Sequence, residues 1–127
     1  MSSIPPCIDS WLNFLNTQKD TSPDAFLDDK IVIHAYQEGP DGPVREIDGI
    51  DAVVAWVQFP PEGQFSFQLL DCSVRSAHPS MPTADTTLQA HYEVRHVDGE
   101  FTNQGEWIAG LRAGRLVGLI HTPKGLD

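Results

Sequence analysis

The chain has 127 residues and a mass of 14.0 kDa, enough for one domain with its own core and too short for two. Eight basic against eighteen acidic residues give a formal net charge of -10, which excludes nucleic-acid binding through a basic face and disfavours adhesion to anionic membranes. The longest apolar run, Ala52 to Val57, is too short to span a bilayer, and Met1 to Pro6 lacks both the basic and the apolar part of a secretion signal; a cytoplasmic location is expected.

Residues 1–63 hold eleven acids and three bases, so most of the negative charge sits in the first half, where it reads as a solvated acidic surface. Cys7 and Cys72 lie far apart, with no metal or redox spacing, and are expected to be reduced thiols, Cys72 as a small core residue in a strand.

Ile8, Trp11, Leu12 and Leu15 recur at helical spacing, so Cys7 to about Thr17 is an expected amphipathic helix behind a Pro5-Pro6 start. A short helix is expected at Pro23 to Leu27, with Ser22 as its cap. Ile31–Tyr36 is β-branched and aromatic, a strand; 37–43 reads as a turn and Val44–Ile47 as a short strand. Asp48 is placed to cap a third helix whose buried stripe is Ile50, Val53, Val54 and Val57, and Phe59-Pro60-Pro61 ends it. Beyond this the periodicity changes to two. Phe65–Ser76, Asp85–Val97, Glu100–Arg112 and Arg115–Thr122 are expected strands.

The turns predict a register. Asp98-Gly99 is a two-residue hairpin signal that sets Val97 opposite Glu100. Leu88 then faces Ala109, Ala90 faces Trp107, Tyr92 faces Gly105, Val94 faces Asn103 and His96 faces Phe101. One face is thereby apolar on both strands, while Gln89, His91, Glu93 and Arg95 share the other with Thr102, Gln104, Glu106 and Ile108. A similar turn at Ala113-Gly114 sets Trp107 opposite Ile120 and builds a His91–Glu106–His121 row on the polar face. A three-residue turn there would send His121 inward instead, as a rival proton-transfer residue. For Asp71 no register fixes the face.

Three helices followed by a long antiparallel meander give a helix layer on one face of a bent sheet, an α+β architecture. The element order, with Phe26-Leu-Asp-Asp-Lys-Ile-Val-Ile-His34, Asp48-Gly-Ile-Asp-Ala-Val-Val-Ala-Trp56 and Gly114-Arg-Leu-Val, resembles the NTF2-like superfamily, which includes ketosteroid isomerase and the SnoaL-like cyclases. The resemblance covers nearly the whole chain, residues 1–127 as one domain. It implies a curved antiparallel sheet wrapped around helices into a cone with an apolar pocket, and places His34 at the position of the isomerase's general-base carboxylate. Trp11 and Trp107 fall near the isomerase's oxyanion-hole positions, where an indole is too bulky and too poor in donors to serve; steroid isomerase chemistry is not expected.

The resemblance and the register together make His34 the candidate catalytic residue and Tyr36, Trp56, Tyr92, Asn103 and Trp107 the candidate ligand-binding wall, with His96 near its open end. The histidines and acids show no metal-site spacing, and neither a nucleophile motif nor a phosphate loop is present. No cofactor or metal is therefore expected. Two readings follow: general acid/base catalysis, of isomerase, cyclase or lyase type, on a small carbonyl-bearing molecule, or a non-catalytic binding or interaction module of the same fold. A homodimer through the outer sheet face is expected, with Ile108 and Val97 as apolar contacts amid Gln89, Gln104 and Arg95.

Overall fold

The computed structural model describes residues 5–17, 23–36, 44–58, 65–96 and 102–123. Helix α1 spans Pro6–Thr17; its first turn closes on the Pro5 carbonyl, which accepts from the Ile8 N–H at 3.0 Å. A single 3₁₀ turn, Pro23–Ala25, stands where a short helix was expected, and its cap Ser22 lies outside the described residues. Strand β1 (Leu27–Tyr36) starts four residues earlier than its β-branched stretch suggests, and β2 is Val44–Asp48. Helix α2 (Ile50–Gln58) is followed by β3 (Phe65–Arg75), β4 (Thr86–His96), β5 (Thr102–Arg112) and β6 (Arg115–Pro123).

Asp48 does not cap α2. It ends β2, and Gly49 takes the corner at φ +94°, a left-handed backbone that side chains disfavour. The Gly49 N–H donates to Ile31 and its carbonyl accepts from Val53, so one glycine closes the strand and opens the helix. On α2, Val53 and Val57 are buried while Ile50 and Val54 pack at the edge of the core.

The strands form one open sheet in the order β2-β1-β6-β5-β4-β3. All neighbours are antiparallel except β1 and β6, which run parallel, so the sheet is mixed rather than wholly antiparallel. The β4–β5 register is the one expected: Leu88 faces Ala109, Ala90 faces Trp107, Tyr92 faces Gly105 and Val94 faces Asn103. The Asp98-Gly99 turn, and with it the pairs Val97–Glu100 and His96–Phe101, lies outside the described residues. Both helices pack on the inner face, and one cluster joins Ile8, Trp11 and Phe14 of α1 to Ile31, Ile33, Tyr92, Trp107 and Leu119 of the sheet.

Strand β3 is an edge, which leaves backbone groups unpaired on one side. Asn16 of α1 covers part of it: its Nδ2 donates to the Phe67 carbonyl at 3.0 Å and its Oδ1 accepts from the Phe67 N–H at 2.6 Å. Asn16→Ala removes both bonds and strands their half-buried partners. A loss of about 1–3 kcal/mol in urea unfolding is expected.

Candidate functional site

A cavity of about 370 Å³ opens between the helices and the inner face of the sheet. Its aromatic wall comes from Trp11 of α1, Trp56 of α2, Phe65 and Phe67 of β3, Tyr92 of β4 and Trp107 of β5. Tyr92 stacks on Trp107 with ring centroids 4.4 Å apart and an interplanar angle of 18°, and Phe67 extends the stack onto Trp107 at 6.3 Å and 26°. The stack exists because β3, β4 and β5 bring these residues to neighbouring places on one face. Asn103, Arg45 and His121 add the polar side chains.

Of the residues expected from sequence, Trp56, Tyr92, Asn103 and Trp107 line this cavity, and His34 and Tyr36 do not. The expectation that all of them share one wall is corrected by the alternation in β1. Ile31, Ile33 and Ala35 turn inward and are buried, so His34 and Tyr36 turn to the outer face, opposite to Trp107. His34 sits across from Glu46 on one side and Ile120 on the other.

His121 takes the inner place instead. The two-residue turn forms as expected, with Ala113 at φ 51° and Gly114 at φ 78°, pairing Arg112 with Arg115 and Leu111 with Leu116. The next pair is Gly110 with Gly118, so β6 carries one extra residue, Val117, as a β-bulge. Beyond the bulge every side chain of β6 changes face, and Trp107 lies opposite His121 rather than Ile120. The expected His91–Glu106–His121 row therefore does not form. The sequence signal for the bulge is Gly118, a glycine inside a strand pattern.

A second bulge, at Leu70 in β3, decides the face of Asp71. Asp71 lies outside, where its Oδ1 meets His91 Nδ1 at 2.7 Å, and Glu106 approaches His91 Nε2 at 3.4 Å. The hydrogen bond to Asp71 raises the His91 pKa above its ordinary value. Asp71 and His91 are exposed and Glu106 is half-buried, so these contacts contribute little to stability. Among the described residues, no set of three His, Cys, Asp or Glu side chains is placed to hold a metal ion.

Inside the cavity the hydrogen bonds fix the state of His121. Trp107 Nε1–H donates to His121 Nδ1 at 2.9 Å, and an indole can only donate. Nδ1 is therefore unprotonated, and neutral His121 carries its proton on Nε2, which faces the Tyr92 hydroxyl at 3.4 Å. Burial lowers the His121 pKa to about 4, so the ring is neutral at physiological pH, and burial also pushes the Tyr92 phenol well above its ordinary value. The Tyr92 oxygen accepts from His121, which leaves its own proton available to a third group.

Two further polar groups belong to the wall. Asn103 Oδ1 is held by the Gln104 N–H at 2.9 Å. Trp11 Nε1 is buried and finds no acceptor among the described residues. Among the described residues no carboxylate lines the cavity, although the sequence has eighteen. Sequence reasoning placed Trp11 near the site but missed Phe65, Phe67 and Arg45 as wall residues. The two phenylalanines alternate on an expected strand, a pattern that core and cavity share.

No protein-family model matches the sequence, and no curated protein matches it. Solved structures do. A "putative polyketide cyclase" from Sinorhizobium meliloti superposes with a TM-score of 0.69 at 11% identity, covering 94% of this chain and 95% of that one. An NTF2-like protein of unknown function from Mesorhizobium loti gives 0.69 at 17% identity over 94% and 88% of the two chains. A "putative isomerase of the SnoaL-like family" from Agrobacterium tumefaciens gives 0.66 at 12% identity over 94% and 95%. At such identities likeness establishes architecture alone: the chain has the NTF2-like fold.

Proposed function

We propose that the protein binds a small apolar molecule bearing a carbonyl group, seated on the Trp107–Tyr92–Phe67 stack with its oxygen at the Tyr92 hydroxyl. The observation that carries this reading is the Trp107–His121–Tyr92 relay, which presents a neutral O–H donor inside an aromatic cavity. A donor there holds a ground-state carbonyl and favours charge developing on its oxygen, the electrophilic half of isomerase- or cyclase-type chemistry. The described wall supplies no free base for the proton-abstracting half. Both His121 nitrogens are engaged, and the described wall offers no carboxylate.

The test is a matched pair of ligands, 2-acetylnaphthalene and 2-ethylnaphthalene, titrated by calorimetry. The ketone should bind several-fold more tightly than the hydrocarbon, as one net hydrogen bond of about 1 kcal/mol requires. Tyr92→Phe should abolish that preference while leaving hydrocarbon binding unchanged. Equal binding of the pair to the unaltered protein would remove the carbonyl from the proposal.

We also propose that two copies pair through the outer sheet face. Ile108 and Ile120 lie opposite each other there, half-buried, beside Gln89. Val97, the other expected apolar contact, lies outside the described residues. Sedimentation at micromolar concentration should give twice the 14.0 kDa chain mass, and Ile108→Glu should return the single-chain value. A single-chain species for the unaltered protein would count against the dimer.

A further inference from the structure

The geometry points to an amphipathic monocarboxylate as the occupant of the cavity: an apolar body on the aromatic wall and a carboxylate at Arg45. This rests on the cavity reading above and adds a charge to it.

The placement of Arg45 comes from the register. Arg45 of β2 pairs with Ala35 of β1, Ala35 with His121 of β6, and His121 with Trp107 of β5. These residues form one row across the inner face, with Arg45 at its outer end. At the ordinary strand spacing, the Arg45 and His121 backbones are roughly 10 Å apart. The long Arg45 side chain covers part of that distance and lines the cavity. One molecule can therefore place a polar head at Arg45 while its body lies on the Trp107–Tyr92 stack.

Charge argues in the same direction. The chain is strongly acidic, yet the one charged side chain in the described wall is a cation. Arg45 forms no ion pair with any described residue. Its neighbour Glu46 faces the other side of the sheet, opposite His34, so the nearest carboxylate in sequence cannot neutralise it across the cavity. A guanidinium holds a carboxylate through two parallel hydrogen bonds, which a neutral amide cannot match. The acidic surface repels small anions in general, so a bound anion must be held locally. The site thus selects an anion that also carries enough apolar surface to fill the aromatic wall.

The probes are 1-naphthaleneacetic acid and its neutral amide, 1-naphthaleneacetamide, titrated by calorimetry at pH 7 into the whole chain and into Arg45→Gln. The acid should bind the unaltered protein at least ten-fold more tightly than the amide. In Arg45→Gln that preference should fall to near one because the acid weakens, while the amide still binds, which also reports an intact cavity. Raising sodium chloride from 50 to 500 mM should shrink the acid's advantage in the unaltered protein and leave the amide unaffected. Equal binding of the two probes to the unaltered protein, or a preference that survives Arg45→Gln, overturns the carboxylate and leaves the cavity reading standing. If neither probe binds while 2-acetylnaphthalene does, the carboxylate is likewise overturned. If none of the three binds, the cavity reading falls as well.

Discussion

Between pH 6.5 and pH 4 the folded protein should lose roughly 2–3 kcal/mol of stability on account of His121 alone. The unfolded imidazole takes up a proton as pH falls through 6.5, whereas the native ring, pressed between Tyr92 and Trp56, resists until about pH 4. Within that window the unfolded state binds more protons, so stability falls as pH falls. Above pH 6.5 both states are neutral and the residue contributes no pH dependence. The figure lies below the full value of the shift because solvent still reaches part of the residue. His121→Phe keeps a flat ring in the stack and removes the titration. Its cost, an unpaired Trp107 N–H, is the same at every pH. Urea unfolding at pH 7, 5.5 and 4.5 should therefore show the unaltered protein losing stability more steeply than the variant. Carboxylates and the exposed His91 titrate in both proteins and cancel in the comparison. Parallel curves would mean that His121 is not held neutral.

How far the sequence could be read depends on which contacts decide each face. The β4–β5 pairing was legible because two apolar alternations and one hairpin signal agreed, and a slip of one residue would have buried His91 and Glu106. The faces of β6 and β3 were not, because in each a single extra residue, Val117 or Leu70, reverses the alternation. A bulge leaves only a faint mark in composition, and its consequence appears several residues later, at His121 and Asp71. The β1 assignment failed for a different reason. Ile31-Val32-Ile33-His34-Ala35-Tyr36 offers apolar or amphipathic residues on both faces, so local pattern cannot choose between them. The choice is made by packing against the helices, which buries Ile31, Ile33 and Ala35. As a result the aromatic wall could be anticipated from sequence, whereas the histidine that belongs to it could not.

Gly105→Ala should cost about 1–3 kcal/mol and remove the preference for a carbonyl, although residue 105 carries no functional group. Gly105 pairs with Tyr92 across the β4–β5 ladder, and a methyl group built on it would overlap the phenol ring, the hydroxyl end most severely. The ring lies flat across the neighbouring strand only because a side chain is missing there. That posture gives Tyr92 its 4.4 Å stack on Trp107 and sets its oxygen beside His121 Nε2. With a methyl in place the ring must turn away from Trp107 or push the strands apart, and in either case the relay loses its last member. Gly105→Ala and Tyr92→Phe should consequently be non-additive. Phenylalanine withdraws the atom that the new methyl strikes hardest, so Gly105→Ala should cost less in a Tyr92→Phe background than alone, by about 1 kcal/mol in a double-mutant cycle read by urea unfolding. Simple additivity would mean that the methyl is absorbed by backbone movement and that the glycine does not hold Tyr92 in place.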